Sequence, residues 1–95
     1  KYFSRKEFTN MKIRTLNKQS NVIGKNIRKY RNSRGYSQRE VCNKLALLGV
    51  NMYHSDLSDI ENSKHHIKDY EILALCKVLN ITREEIFEGT DNIFN

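Results

Sequence analysis

The chain has 95 residues, with 17 Lys and Arg against 11 Asp and Glu, a formal net charge of +6 and an apolar share of 38%. That composition suffices for one small core; no run approaches the ~18 apolar residues of a membrane span, and the first ten residues hold no apolar signal-peptide stretch. With no proline and only four glycines, hairpins and β-sandwiches have little support, so an all-α fold is expected.

Charge is polarised along the chain. Residues 1–21 carry six Lys/Arg against Glu7, and residues 22–49 carry seven against Glu40, net +5 and +6. Residues 50–95 carry four against nine Asp/Glu, net −5. The basic half is a candidate phosphate-facing surface, and the same composition suits a solvated face or a membrane-surface patch.

In chain order, residues 1–21 form a basic arm or extension without a firm period. Ser4-x-x-Glu7 there can cap a short helix presenting Phe8, Met11 and Leu16, and an unstructured arm fits as well. Such an arm is suited to phosphates or a minor groove. The first firm helix is expected over Val22–Arg34, with Ile23, Ile27 and Tyr30 on one stripe, Asn21 as N-cap and Gly35 as the stop. Ser37-x-x-Glu40 is a capping-box pattern opening a second helix, Gln38–Leu48, whose apolar stripe is Val41, Leu45 and Leu48. Gly49 closes it. A turn to Met52 leads to a third helix, Tyr53–Asn62, with Leu57 and Ile60 inward. After the loop Ser63–Ile67 a fourth helix spans Asp69–Leu79, with Ile72, Leu75, Cys76 and Leu79 inward. Thr82-x-x-Glu85 is another capping box, and it opens a fifth helix with Ile86 and Phe87 as a buried pair. Gly89–Asn95 reads as a frayed tail.

The expected architecture is a compact five-helix bundle over residues 22–88. Its second and third helices, joined by a glycine-bearing turn, have the shape of a helix-turn-helix, although periodicity alone fits any αα-hairpin. Cys42 and Cys76 each sit in an apolar helical pattern and read as buried thiols of a cytoplasmic protein. His54, His65 and His66 lack metal-ligand spacing with either cysteine, so no metal or cofactor is expected. Ser55, Ser58, Asp56, Asp59 and His54 crowd one short helix but point around a cylinder, with no elbow or Gly-rich loop to make an oxyanion hole. Catalysis is therefore not expected.

Read as one string, IGKNIRKYRNSRGYSQREVCNKL, then SDLSDIEN, then YEILALCKVLNITREEIF, the sequence resembles the phage-repressor/Cro-like helix-turn-helix family, often called XRE-type. The resemblance covers about Val22–Glu88 and rests on several short motifs in the family's order. It implies a lambda-repressor-like fold and a sequence-specific, repressor-like DNA-binding regulator acting as a homodimer on double-stranded DNA. Gln38 and Arg39 would meet phosphates at the start of the second helix, with Tyr53 a further candidate at the start of the third. His54, Ser55 and Asp59 would face base edges, with Asp56 and Ser58 near the groove wall, and Asn62, Lys64, His65 and His66 would meet phosphates beyond. Arg31 and Glu61 match a structural ion pair. The dimer surface is expected on the outer face of the fifth helix and around Ile93 and Phe94.

Three departures from the family pattern stand out. The turn before the third helix is about two residues longer, with Asn51 and Met52 as the extras. Ser63 occupies a place often held by glycine, which suggests a different bend. The third helix carries Asp56 and Asp59 and no Lys or Arg, whereas arginine on guanine is the commonest specific contact. That acidity supports an alternative reading, a protein-interaction module such as an anti-repressor or toxin-binding partner.

Overall fold

A computed structural model describes residues 15–94. The described residues hold five α-helices and no strand, in the order α1 (Gly24–Arg34), α2 (Gln38–Leu47), α3 (His54–Glu61), α4 (Asp69–Leu79) and α5 (Arg83–Ile86). A 3-10 turn, Thr90–Phe94, follows where a frayed tail is expected. The Ser4-x-x-Glu7 pattern, Phe8 and Met11 lie outside the described residues.

The core forms where the helical stripes converge. Ile23 and Ile27 of the α1 segment, Val41 and Leu45 of α2, Leu57 and Ile60 of α3, Leu75 and Leu79 of α4 and Ile86 of α5 are sealed from solvent. Packing of α1 against α3, α4 and α5, and of α2 against α3 and α4, joins them into one apolar cluster. Cys42 and Cys76 are buried at its edge as free thiols, and burial is the first cause raising both thiol pKa values. Two expected core members are outside. Leu48 lies beyond the last turn of α2 and is 42% exposed, and Phe87, at the end of α5, is 41% exposed. Each caps a helix that stops one residue earlier than its apolar stripe implies, so its side chain has left the inward face.

Helix ends follow the local chemistry closely. Ser37 Oγ accepts from the Glu40 amide at 3.0 Å while Glu40 Oε1 accepts from the Ser37 amide at 2.9 Å. Thr82 and Glu85 repeat the exchange at 3.0 and 2.8 Å. The N-cap position of α1 is Ile23 and not Asn21, because the helix starts at Gly24; Asn21 Oδ1 still accepts from the Ile23 and Gly24 amides at 3.1 and 2.8 Å, from two residues before the cap. Gly49 (φ 82°) turns the chain out of α2, and the longer turn seats Met52 against the core while Asn51 faces solvent. Ser63 takes the left-handed conformation itself, at φ 63°, and the amides of Ser63 and Lys64 bond back to Ile60 O and Asp59 O at 2.9 and 2.8 Å. This is the Schellman closure that glycine ordinarily makes. The turn is made here by a serine in a region of backbone space that favours glycine.

The residues before α1 are joined to the bundle. Leu16 and Gln19 exchange backbone bonds at 2.9 Å around Asn17 and Lys18, and the Ser20 amide donates to Ser63 O at 2.8 Å. Asn21 Nδ2 reaches Ile60 O at 3.1 Å and His65 O at 2.8 Å. From α1 itself Asn26 Nδ2 donates to Ile86 O and Glu88 O, both at 2.9 Å, and Arg34 donates to Leu79 O and Asn80 O at 2.8 and 3.1 Å. Polar side chains on or beside α1 thus satisfy carbonyls at the C-terminal ends of three other helices, groups that have no partner within their own helix.

Candidate nucleic-acid interface

The candidate interface is built from α2, α3 and the loop after α3. Helix α3 exists because its apolar positions, Leu57 and Ile60, are three apart and fully buried, and because its C-terminal turn is held from several sides. Gly24 is one of those supports. A methyl group there would overlap the Ile60 carbonyl oxygen and press on Glu61 O, so only glycine lets α1 start against the end of α3.

Glu61 is the polar hub. Its carboxylate is fully buried and accepts from Arg31 Nε at 2.6 Å and Arg31 Nη2 at 3.0 Å, a bidentate ion pair. Gln38 Nε2 adds a bond to Glu61 Oε1 at 3.1 Å, and Arg28 Nε lies 3.5 Å from the same oxygen. Arg31 also donates to Tyr36 O at 2.9 Å. One carboxylate therefore ties α1, α2 and α3 together, and every buried side-chain polar atom among the described residues has a partner. Hydrogen bonding to Glu61 raises the Arg31 pKa against the opposing effect of burial, keeping the guanidinium charged.

The other site residues divide into free and committed groups. His54, Ser55 and Asp59 are exposed on α3, while Asp56 and Ser58 are half-buried. The Asp59 carboxylate makes no hydrogen bond or ion pair within the described residues. Asp56 Oδ2 instead accepts weakly from the Tyr53 amide at 3.4 Å, and Tyr53 is 78% exposed at the head of α3. Arg39 on α2 places Nη2 3.5 Å from His54 Nε2 and so links the two helices on their outer side. Lys64, His65 and His66 are exposed after α3. Gln38 differs from expectation: its amide faces Glu61 rather than open solvent. Asn62 is exposed, but its Nδ2 donates to Ser58 O at 3.0 Å and its Oδ1 accepts from Arg28 Nη2 at 2.7 Å.

Arg28 is the residue that sequence reasoning passed over. It stands at i, i+4 from Gly24 and reads as one of several solvated charges on α1, and nothing in its spacing shows that it reaches the end of α3. Among the described residues no group of three or more His, Cys, Asp or Glu is placed to hold a metal ion, and no helix is long and apolar enough to cross a membrane. No family model, no curated protein and no solved structure matches the chain.

Proposed function

We propose that the chain is a sequence-specific DNA-binding transcriptional regulator of the phage-repressor/Cro-like helix-turn-helix kind, with α3 entering the major groove and two copies acting on an inverted repeat. The observation that carries this reading is the α2–α3 pair. Its helices meet across the Gly49 turn, bury Leu57 and Ile60, and turn His54, Ser55 and Asp59 outward as one polar face. Arg39 and Lys64 flank that face with positive charge suited to phosphates. Asp59, with no partner among the described residues, is suited to accept from cytosine N4.

A selection of the purified chain against random duplex DNA at about 0.15 M salt tests the reading. The expected product is an inverted repeat with half-site centres about 10 base pairs apart. Binding confined to low salt, with no enriched sequence, would count against it.

One observation favours a second reading. With Glu61 buried, the outer side of α3 carries Asp56 and Asp59 and no Lys or Arg, and the exposed Asp59 carboxylate has no partner among the described residues. A basic protein partner would meet that face. Asp59→Asn separates the two: on DNA it changes the preferred base at one position, whereas on a basic partner it weakens association and leaves DNA behaviour untouched.

A further inference from the structure

Asn62 is expected from the sequence to contact a phosphate, yet its amide is already committed on both sides, to Ser58 O and to Arg28 Nη2. The two bonds orient Asn62 and so fix the guanidinium of Arg28 across the junction of α1 with the end of α3. The Glu61 carboxylate is shared: Arg31 makes the short bidentate contact and Gln38 adds its amide, while the ion pair with Arg28 is the longest of the set at 3.5 Å. Two guanidinium groups facing one carboxylate leave one positive charge in surplus. Of the two guanidinium groups Arg28 is the one open to solvent, its side chain 44% exposed against 13% for Arg31. The Nη1 donors of Arg28 make no hydrogen bond within the described residues. Lys64, two residues beyond Asn62, is exposed with no ion-pair partner among them.

We propose that Arg28, positioned by Asn62 and assisted by Lys64, is a seat for a backbone phosphate of nucleic acid. This rests on the DNA reading above and adds α1 to the contact surface. A guanidinium held by two partners has lost its rotamer freedom before binding, so its remaining donors meet a phosphate in a fixed fork at low entropic cost. Asn62 is then a positioning residue and not itself the ligand.

The test is the salt dependence of binding to a mixed-sequence DNA duplex for the whole chain and its Arg28→Gln, Arg28→Lys and Asn62→Ala variants, with thermal melting of each. Removing one phosphate contact makes the slope of log affinity against log salt shallower by about 0.9, which is about eightfold in affinity near 0.1 M salt. Arg28→Gln is expected to show both changes, Arg28→Lys to retain the slope, and Asn62→Ala to lose less affinity. If the wild-type chain binds and Arg28→Gln matches it in affinity and slope, the seat is overturned while the DNA reading stands. An affinity loss with an unchanged slope assigns Arg28 a structural role and also overturns it. A wild-type chain that does not bind duplex DNA overturns both. Should Arg28→Gln fail to fold, dicarbonyl modification of the wild-type arginines decides: protection of Arg28 by the duplex supports the seat, and equal modification with and without DNA overturns it.

Discussion

Helices α2 and α3 are neighbours in the same candidate interface, but they are stabilised in different ways. Helix α2 is closed by its own sequence: Ser37 and Glu40 satisfy each other's amides at the start, and Gly49 turns the chain at the end. Helix α3 has weaker local devices. Tyr53 at its head makes no side-chain cap, the Asp56 contact is long at 3.4 Å, and Ser63 closes it in a conformation that serine adopts reluctantly. At eight residues, α3 is too short to persist alone in water. Its support comes from α1 and the residues just before it, through Gly24 beneath the Ile60 carbonyl, Asn21 on that same carbonyl and Arg31 on Glu61. The lesson is that the helix proposed to read DNA is the one whose geometry other elements impose.

That contrast can be broken most severely at Glu61. Glu61→Ala leaves Arg31 buried without its carboxylate and removes the tie between three helices, at a cost of about 3–5 kcal/mol. Denaturant melting reads the loss directly, and a cost below about 1 kcal/mol would mean that α3 stands without the hub. Gly24→Ala comes next. The added methyl meets backbone that cannot swing aside, so about 2 kcal/mol is expected, with α1 pushed away from the end of α3. A neutral result at this position would show that the close approach is not needed.

The smaller changes sharpen the comparison from the α2 side. Ser37→Ala is expected to cost about 1 kcal/mol, and hydrogen exchange should show the loss confined to the first turn of α2. The same variant has a pH signature. Bonds from the Ser37 backbone and hydroxyl hold the Glu40 carboxyl below its ordinary value, so they contribute stability above the unfolded pKa that is lost as pH falls through the folded one. Acid melting below about pH 4.5 should therefore be less steep in Ser37→Ala than in the wild type. Ser63→Gly has the opposite sign: relief of the left-handed serine is expected to stabilise by about 0.5 kcal/mol. A destabilised Ser63→Gly would mean that the Ser63 side chain contributes something its geometry does not reveal.

The candidate site was legible where local chemistry announces itself. The capping boxes at Ser37 and Thr82, the stop at Gly49, and the inward Leu57 and Ile60 all rest on spacings of three or four residues, which a helix converts directly into faces and ends. Leu48 and Phe87 were misplaced because a stripe does not say where a helix stops. Asn62 and Gln38 read as outward donors because the sequence carries no sign of their partners across the fold. Arg28 was overlooked for the same reason.

The sequence by itself determined the all-α character of the described residues, the order and approximate bounds of their five helices, and most of the residues that fill the core. Only the tertiary structure decided the role of α1. Asn21 reads as a local N-cap and nothing in the spacing of Asn26 or Arg34 marks a partner, yet all three satisfy carbonyls at the ends of α3, α5 and α4 respectively. Likewise Arg28, Arg31 and Gln38 converge on one carboxylate 23 to 33 residues away in the chain. Helix periodicity is a local property set by backbone hydrogen bonds four residues apart. Long-range polar pairing is set by which helices the buried apolar faces bring together, and that is fixed only when the core closes.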